Sequence, residues 1–286
     1  MEHPLLADIT KRLTPLSDTP ALDASVLIGH ILHQTRTWVI AHPETTLTSE
    51  QQRQMDDSLR RLARGESFPY VLGRWEFFGL EFVVTHDVLI PRPETELLVE
   101  KAIAWLQKFP AERRVADVGT GSGAIAVSIA VNVQDADILA TDISSKTLEV
   151  AKCNAEKHNV SDQLKFVECD LLPQSSLFPD RQSFMDLLCA NLPYIPTDTL
   201  SSLAVFGREP SLALDGGPDG LDVYRRLFSI APGWMAPGGK MLLEIEATQG
   251  AKILALAAHT FKHAELRLHR DLSGHDRLLE VTLSRT

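Results

Sequence analysis

The segment Asn-Leu-Pro-Tyr at residues 191–194 places a side-chain amide, a rigid turn and an aromatic ring directly after the apolar run FMDLLCA. Pro193 biases Leu192 toward an extended backbone, which fixes the direction of the Leu192 carbonyl. The Asn191 side-chain oxygen and that carbonyl can therefore converge as two acceptors, which suits an NH₂ group with two hydrogens to donate. In the alternative interpretation, Asn191 caps a turn and Tyr194 fills a gap in the core.

A glycine-rich loop, D-V-G-T-G-S-G at residues 117–123, follows an earlier apolar run. Alternating glycines let the backbone turn sharply and approach a ligand without interference from a Cβ, next to the beginning of a helix. The alternative is a tight turn that binds nothing. The candidate cofactor contacts in this loop are Asp117, Gly119, Thr120, Gly121, Ser122 and Gly123.

Acidic residues end the next two apolar runs. Asp142 lies 19 residues after Gly123 and can accept hydrogen bonds from both hydroxyls of a ribose, or it can cap the following helix. Asp170 can accept from an adenine amino group while Leu171 covers the ring face; a solvated loop acid is the alternative.

The order of the elements predicts where these residues meet. From Arg113 onward, helical segments separate short apolar runs that end in polar residues: RVADVG, DILATD, LKFVECD and FMDLLCAN. This alternation predicts an α/β fold with a Rossmann-like parallel sheet, in which ligands bind at the carboxyl ends of the strands. GKMLLEIE predicts a fifth strand, started by the turn PGG at 237–239, and AELRLHR with RLLEVTL predicts an antiparallel C-terminal hairpin.

Residues 1–67 predict a small helical bundle ahead of this sheet. Pro20 begins an amphipathic segment with apolar positions at Leu22, Val26, Leu27, Ile31 and Leu32. A second segment has a capping box formed by Thr48 or Ser49 with Gln51 or Gln52. Gly65 is placed to end that helix, whose apolar stripe is Met55, Leu59 and Leu62.

A linker joins the bundle to the larger domain. Residues 68–90 contain RWEFFGLEFVV, whose aromatic and β-branched residues around a central glycine predict a β-hairpin. Residues 91–286 form the predicted second domain, which opens with a helix. Pro93 suits the first helical position, and Glu94 and Glu96 complement the positive end of the helix dipole.

Composition limits the class of protein. The chain has 286 residues, 44% of them hydrophobic, and a formal net charge of −10, which disfavours a protein that grips nucleic-acid phosphates. The sequence predicts no secretory signal and no membrane span. Cys153, Cys169 and Cys189 lie far apart, which favours buried thiols in a reducing cytoplasm over disulfides or a metal site.

Taken together, DVGTGSGAIA, Asp142, the pair Cys169-Asp170 and NLPY resemble class I S-adenosylmethionine-dependent methyltransferases that act on amino groups. The segments IPRPETE, REPSLALDGGPDGL and DLSGHDR narrow the resemblance to the release-factor glutamine methyltransferases, the HemK/PrmC family, over about residues 20–284. The family's usual NPPY is NLPY here, so position 192 gains an N–H but keeps its carbonyl. Leu171 stands where relatives often have a large aromatic residue.

The resemblance implies a function. The cofactor would be S-adenosyl-L-methionine, held by the glycine loop, Asp142, Asp170, Leu171 and Asn191, with no metal. The substrate would be the glutamine side-chain amide in the GGQ motif of peptide chain release factors, methylated on nitrogen. The N-terminal bundle would dock the release factor, and the enzyme would act as a cytoplasmic monomer without contacting nucleic acid or membrane directly.

The same resemblance assigns catalysis to the NLPY segment. Asn191 Oδ1 and the Leu192 carbonyl would each accept one amide hydrogen, Pro193 would fix the turn, and the Tyr194 ring would lie against the amide. The main alternative is an adenine-amine methyltransferase acting on DNA or RNA, because its target is also an NH₂ group on an sp² carbon. A nicotinamide dehydrogenase leaves NLPY unexplained, and a non-enzymatic scaffold is not expected to retain every one of these residues.

Overall fold

The computed structural model describes residues 4–108, 113–173 and 184–285. The contacts within the chain divide it into two compact units, Met1–Arg74 and Trp75–Thr286. Within the described ranges, no helix has the length and apolar character needed to cross a membrane.

The first unit is helical. Its helices are α1 (Pro4–Leu13), α2 (Pro20–Leu32), α3 (Arg36–Ala41), α4 (Ser49–Ala63) and α5 (Phe68–Leu72). They enclose an apolar core in which the largest buried side chains include Ile9, Leu13, Leu27, Ile28 and Met55. The predicted helix from Pro20 is confirmed.

The capping box of α4 is also confirmed. The Thr48 side chain accepts from the Gln51 backbone N–H, and the Gln51 side chain accepts from the Thr48 backbone N–H. After the helix, Gly65 has a φ of 88°, a left-handed conformation that favours glycine. The sequence signals at both ends of this helix therefore match the structure.

The predicted hairpin at 68–90 is wrong in its extent. Residues 68–72 form α5, because Pro69 suits an early helical position and Gly73 ends the helix with a φ of 67°. The hairpin itself consists of β1 (Arg74–Phe77) and β2 (Leu80–Val83). Phe78 and Gly79 join these strands with φ values of 51° and 70°, the pattern of a tight two-residue turn.

The second unit contains a seven-stranded sheet. Its strands are β3 (Arg113–Val118), β4 (Ala136–Asp142), β5 (Leu164–Glu168), β6 (Met185–Ala190), β7 (Met235–Glu244), β8 (Glu265–Arg270) and β9 (Asp276–Thr282). The order across the sheet is β5-β4-β3-β6-β7-β9-β8. The strands from β5 to β7 are parallel, whereas β9 pairs antiparallel with both β7 and β8. The predicted Rossmann-like sheet with an antiparallel C-terminal hairpin is confirmed.

One strand boundary differs from the prediction. β7 begins at Met235, before the PGG segment at 237–239, rather than after it. The pairing jumps from Met185 with Met235 to Leu187 with Lys240, so the PGG residues bulge out of the ladder. Proline lacks an N–H and glycine turns easily, so the bulge accommodates both without ending the strand.

Helices cover both faces of the sheet. On one face lie α6 (Glu96–Leu106), α7 (Ala124–Asn132) and α8 (Ser145–Lys157); on the other lie α10 (Asp222–Ile230) and α11 (Gly250–Thr260). Alternate residues of β6 pack into the apolar cores on the two faces of the sheet. Leu187 and Cys189 pack on the face covered by α6, α7 and α8, and Leu188 and Ala190 pack on the face covered by α10 and α11. A short helix, α9 (Thr197–Leu200), follows β6. A 3₁₀ turn at Pro93–Thr95, rather than an α-helical turn, precedes α6.

The expectation of buried thiols is only partly correct. Cys189 is buried in the sheet and Cys169 is partly buried, but Cys153 is exposed. Cys153 lies on α8, an amphipathic helix with one face turned to solvent. All three cysteines are free.

Candidate active site

A cleft of about 460 Å³ opens at the carboxyl ends of the parallel strands. It lies where the order of the sheet reverses, because the chain runs outward from β3 to β5 and then returns to the other side of β3 as β6. Open α/β sheets bind ligands at this switch point. Of the predicted site residues, those lining the cleft are Gly119, Thr120, Gly121, Ser122, Asp142, Asp170, Leu171, Asn191, Leu192 and Pro193.

The glycine loop is held over the end of β4. The Gly119 and Thr120 N–H groups both donate to the Thr141 carbonyl, at 2.9 and 2.8 Å. Gly119 and Gly121 have φ values of 72° and 58°, which a residue with a Cβ adopts only with strain. Nothing lies within 4 Å of the Cβ position at Gly121, so the backbone there is open to a ligand.

Asp117 supports this loop from below and does not line the cleft, which differs from its predicted role as a cofactor contact. Its Oδ2 accepts from Thr120 Oγ1 at 2.6 Å and from the Ala126 N–H at 3.2 Å, while its Oδ1 is buried without a partner. Burial raises the pKa of Asp117 to about 7. Gly123 also lies away from the lining; a Cβ there would come within 3.3 Å of Ala151.

Asp142 faces the cleft from the end of β4. Its two oxygens accept from the Gly121 N–H at 3.1 Å and the Ser144 N–H at 3.0 Å, and burial raises its pKa. The alternative role as a helix cap belongs instead to Ser144, whose side chain accepts from the Thr147 N–H. The carboxylate of Asp142 is therefore fixed by the loop and directed at the cleft.

Asp170 and Leu171 line the same cleft beyond β5. The Asp170 carboxylate is about half exposed and forms an ion pair with Arg226. Leu171 has a φ of 64°, and its carbonyl accepts from Thr141 Oγ1 at 2.6 Å. This hydrogen bond holds the backbone in a conformation that is uncommon for leucine and keeps its side chain at the cleft wall.

The nitrogen of the Asn191 side-chain amide is hydrogen-bonded within the protein. Asn191 Nδ2 donates to Thr95 Oγ1 at 3.1 Å. Among the described residues, no hydrogen bond reaches Asn191 Oδ1 or the Leu192 carbonyl, although both residues line the cleft. The two oxygens proposed from sequence as acceptors are thus the atoms left available there.

The leucine in place of the family's proline is accommodated on both its backbone and its side chain. Burial raises the pKa of the Tyr224 hydroxyl, and a hydrogen bond with the Leu192 backbone opposes part of this shift, as expected when an N–H donates to a phenol oxygen. Tyr224 in turn donates to the Glu244 carbonyl. The Leu192 side chain is buried against the glycine loop, where a Cβ on Gly119 would lie 3.0 Å from Leu192 Cδ2.

Tyr194 differs from the prediction that its ring lies against the substrate amide. It is not among the cleft residues, and its ring packs against the core formed by β6, β7 and α10. Its hydroxyl donates to Glu244 Oε1 at 3.4 Å. Burial raises the pKa of Tyr194, so its hydroxyl remains protonated.

The segment REPSLALDGGPDGL, residues 208–221, holds the backbone that follows NLPY. In the sequence its only link to function is the family resemblance. The Ile195 N–H donates to the Leu214 carbonyl at 3.0 Å, and the Gly216 N–H donates to the Ile195 carbonyl at 2.9 Å. Gln249 Nε2 donates to the Tyr194 carbonyl at 2.8 Å. Such backbone clamps fix the direction of the two acceptor oxygens.

An ion pair joins the same segment to IPRPETE. Arg92 Nη2 lies 2.5 Å from Glu209 Oε1, and the Glu209 side chain is only 3% exposed. The Ile90 N–H also donates to Glu209, at 3.3 Å. Because Arg92 lines the cleft, this pair fixes one wall of the site.

Asn154 is a buried positioning residue that the sequence interpretation missed. Its Oδ1 accepts from the Val83 N–H at 2.7 Å, and its Nδ2 donates to the carbonyls of Val83 and Ser122 at 3.0 and 2.8 Å. One side chain therefore joins the end of β2 to the glycine loop. The cleft residue His86, in the loop after β2, was missed as well.

Glu244, at the end of β7, is also buried, although the sequence pattern indicates only that it belongs to a strand. It is 2% exposed, and its Oε2 has no partner. Burial raises its pKa from 4.5 to about 7; Thr95, Tyr194 and Arg277 oppose this shift and Glu94 adds to it. The folded state therefore binds more protons than the unfolded state between about pH 4.5 and 7, so this group lowers stability as pH rises through that window.

Comparisons with known proteins agree with this geometry. A family model described as the PrmC N-terminal domain matches residues 4–73, and one described as a methyltransferase domain matches residues 115–205. A release factor glutamine methyltransferase from Moorella thermoacetica is 40% identical over 262 residues, which cover 91% of this chain and 90% of the relative. One from Coxiella burnetii is 38% identical over 275 residues, 95% of each chain.

Among solved structures, the human methyltransferase 10 domain containing protein matches with a TM-score of 0.51 at 18% identity, over 73% of this chain and 90% of that one. At this identity the match shows the fold alone. The two curated relatives, which match over nearly their full lengths, show more: the chain belongs to the release factor glutamine methyltransferase family.

Proposed function

We propose that this chain transfers a methyl group from S-adenosylmethionine to the side-chain amide nitrogen of the glutamine in the GGQ motif of peptide chain release factors. The observation that carries the proposal is the pair of acceptors at the end of β6. Asn191 Oδ1 and the Leu192 carbonyl both belong to cleft residues, and neither accepts a hydrogen bond from the described part of the chain. A primary amide nitrogen has two hydrogens to donate to this pair.

The residues present fit the cofactor. The open backbone at Gly121 and the carboxylate of Asp142 suit the amino-acid and ribose portions, and Asp170 with Leu171 suits the adenine. Asp170 would exchange its partner Arg226 for the adenine amino group. When bound, S-adenosylmethionine supplies an electrophilic methyl group on a positively charged sulfur.

The residues of this chain contribute position and electrostatics. An amide nitrogen is a weak nucleophile because its lone pair is delocalised into the carbonyl. Asn191 Oδ1 and the Leu192 carbonyl each accept a hydrogen bond from this nitrogen. These two bonds fix its orientation and stabilise the positive charge that develops on it during transfer. A protonated, alkylated amide is strongly acidic and loses its proton to water, so none of the cleft residues is assigned as a general base.

The N-terminal unit, Met1–Arg74, is proposed to bind the release factor while its glutamine enters the cleft. Its match to the PrmC N-terminal domain model supports this role. The enzyme is proposed to act as a monomer in the cytoplasm, where release factors work. Removing residues 1–67 should abolish methylation of whole release factor and leave cofactor binding measurable by calorimetry; equal turnover by the truncated protein contradicts the docking role.

The direct test is mass spectrometry of the GGQ peptide after incubation with the protein and labelled cofactor. One added methyl group on the glutamine is expected, and its absence refutes the proposal. Asn191→Ala should lower kcat by about 10²–10³ while cofactor affinity is kept, because one acceptor is lost at the transition state. The exposed Asn132→Ala is the matched control and should turn over normally.

A parallel incubation with DNA and RNA tests the adenine-amine alternative. Both targets present an NH₂ group to the same acceptors, so only the substrate separates them. Transfer to adenine without transfer to release factor would favour that alternative.

A further inference from the structure

One wall of the cleft carries an apolar side chain that the protein leaves uncovered. Pro210, Leu212 and Ala213 all line the cleft, and a 3₁₀ turn at Ser211–Ala213 presents them. The Leu212 side chain is 63% exposed. A single exposed leucine is common on a protein surface, but this one lies on the wall of the cleft between two other apolar residues of the lining.

The exposure of Leu212 is fixed by the fold around it. The Leu214 and Asp215 N–H groups both donate to the Ser211 carbonyl, at 3.1 and 3.0 Å. Glu209 and Leu214, which flank the turn, are only 7% and 6% exposed. The turn is therefore held by its own hydrogen bonds and by a buried residue on each side, and it keeps the Leu212 side chain outside the core.

The turn belongs to the side of the cleft that holds the two acceptors. Ile195, directly after NLPY, donates its N–H to the Leu214 carbonyl at 3.0 Å. The glycine loop, which is proposed to hold the cofactor, is bonded instead to the Thr141 carbonyl on β4. We therefore expect Leu212 to meet the molecule that the acceptors hold, which is the substrate, rather than the cofactor.

The geometry of the substrate places its main chain near this wall. The nitrogen that accepts the methyl group lies at the end of the glutamine side chain, so the main chain that carries it lies one side-chain length away, toward the mouth of the cleft. The two preceding residues of the GGQ motif are glycines, which have no side chain to keep their main chain away from an apolar wall. Covering an exposed leucine is favourable, and this gain is available to the substrate.

We propose that Leu212 is a substrate-contacting residue that packs against the glycine main chain of the GGQ motif and contributes to the choice of a peptide substrate. This inference rests on the proposed function. The two acceptors recognise an NH₂ group, which adenine also carries, so they do not by themselves separate a peptide amide from a nucleobase. An apolar wall beside them favours an uncharged glycine main chain over a hydrated sugar-phosphate.

The first test compares Leu212→Ser with Leu212→Met in methyl transfer to whole release factor. Leu212→Ser should raise KM for release factor about tenfold, because it removes an apolar contact, and should leave kcat nearly unchanged. Leu212→Met keeps the apolar volume and should restore most of the affinity. An unchanged KM in Leu212→Ser overturns the proposal. Cofactor binding that calorimetry finds weakened tenfold in this variant also overturns it, because Leu212 would then contact the cofactor.

Val131→Ser is the matched control. Val131 is also an exposed apolar residue, 36% exposed, but it lies near the end of α7. Because α7 starts beside the glycine loop and runs back toward the start of β4, its end lies at the opposite edge of the sheet from the cleft. Val131→Ser should keep the wild-type KM for release factor, and an equal rise in both serine variants overturns a specific role for Leu212.

The second test locates the contact on the release factor. Leu212→p-benzoylphenylalanine, irradiated with release factor and S-adenosylhomocysteine, should crosslink to the peptide that contains GGQ, whereas Val131→p-benzoylphenylalanine should not. Crosslinks to other peptides, or none from position 212, overturn the proposal. A wild-type protein that transfers no methyl group to release factor refutes the proposed function and this inference with it. Normal transfer by the wild type, with an unchanged KM in Leu212→Ser, refutes the inference alone.

Discussion

Replacing Gly216 with alanine tests how tightly the NLPY backbone is held. A Cβ at this position would lie 2.7 Å from the Pro193 carbonyl oxygen, 2.8 Å from the Gly220 carbonyl oxygen and 2.8 Å from Tyr194 Cα. Real Cβ atoms essentially never approach other atoms closer than 3.0 Å. All three neighbours are backbone atoms, so no flexible side chain can move aside and the loop itself must shift.

We expect two consequences of Gly216→Ala. Overpacking of this kind costs about 1–3 kcal/mol of unfolding free energy. Displacement of Pro193 by a few tenths of an ångström or more also misdirects the preceding acceptors, and misplacement approaching 1 Å lowers turnover by about 10². Urea denaturation gives the first quantity, and initial rates of methyl transfer to release factor at saturating cofactor give the second.

Gly233→Ala is the matched control for this experiment. Gly233 has no atom within 4 Å of its Cβ position and no left-handed φ, so alanine should be accepted with unchanged stability and kcat. If Gly216→Ala behaves like this control in both assays, the proposed clamp on the acceptor backbone is wrong. Loss of stability with normal kcat would show that the loop contributes to folding but does not set the acceptor geometry.

Asp142→Ala should weaken cofactor binding about 10- to 100-fold, the cost of losing hydrogen bonds to a charged group, and unchanged affinity in calorimetry removes Asp142 from the site. Because burial raises the Glu244 pKa from 4.5 to about 7, the wild-type protein should lose about 3 kcal/mol of unfolding free energy as pH rises from 5 to 8. Glu244→Gln has no carboxyl group to titrate, so this pH-dependent loss should disappear. Parallel pH–stability curves for the two proteins refute the burial argument. Arg92→Met leaves the Glu209 carboxylate buried without its cation and should lower the free energy of unfolding by about 2–3 kcal/mol. The loss is smaller than for a fully buried ion pair because the Arg92 side chain is 30% exposed. Denaturation of Arg92→Met and of Arg92→Met with Glu209→Gln checks this, and no recovery in the double variant contradicts it.

The sheet was predictable because its signals are local. Each parallel strand is a short apolar run that ends in a polar residue, and the residues at the ends of β4, β5 and β6 came together as expected. Asp142 and Asn191 both line the cleft. Once alternation predicts a parallel sheet, the geometry of the sheet itself brings strand ends together, so no knowledge of side-chain contacts is needed.

The residues behind the site were not predictable in this way. Asn154 contacts Val83, and Asn191 contacts Thr95, across 71 and 96 residues of sequence. Nothing in the local pattern distinguishes the buried Glu244 from an exposed strand carboxylate, because burial depends on which elements cover it. Tyr194 was misplaced for the same reason: its ring turns toward the core because Glu244 offers its hydroxyl an acceptor there.

The position of Glu244 has a consequence for biosynthesis. β7 is paired with β6 on one side and with β9, which ends at Thr282, on the other. Among the strands of this sheet β9 is synthesised last, and contacts between distant segments close slowly because the intervening chain must first be ordered. Until β9 pairs with it, β7 is an open edge strand, so a nascent chain can form its glycine loop before the surroundings that bury Glu244 are complete.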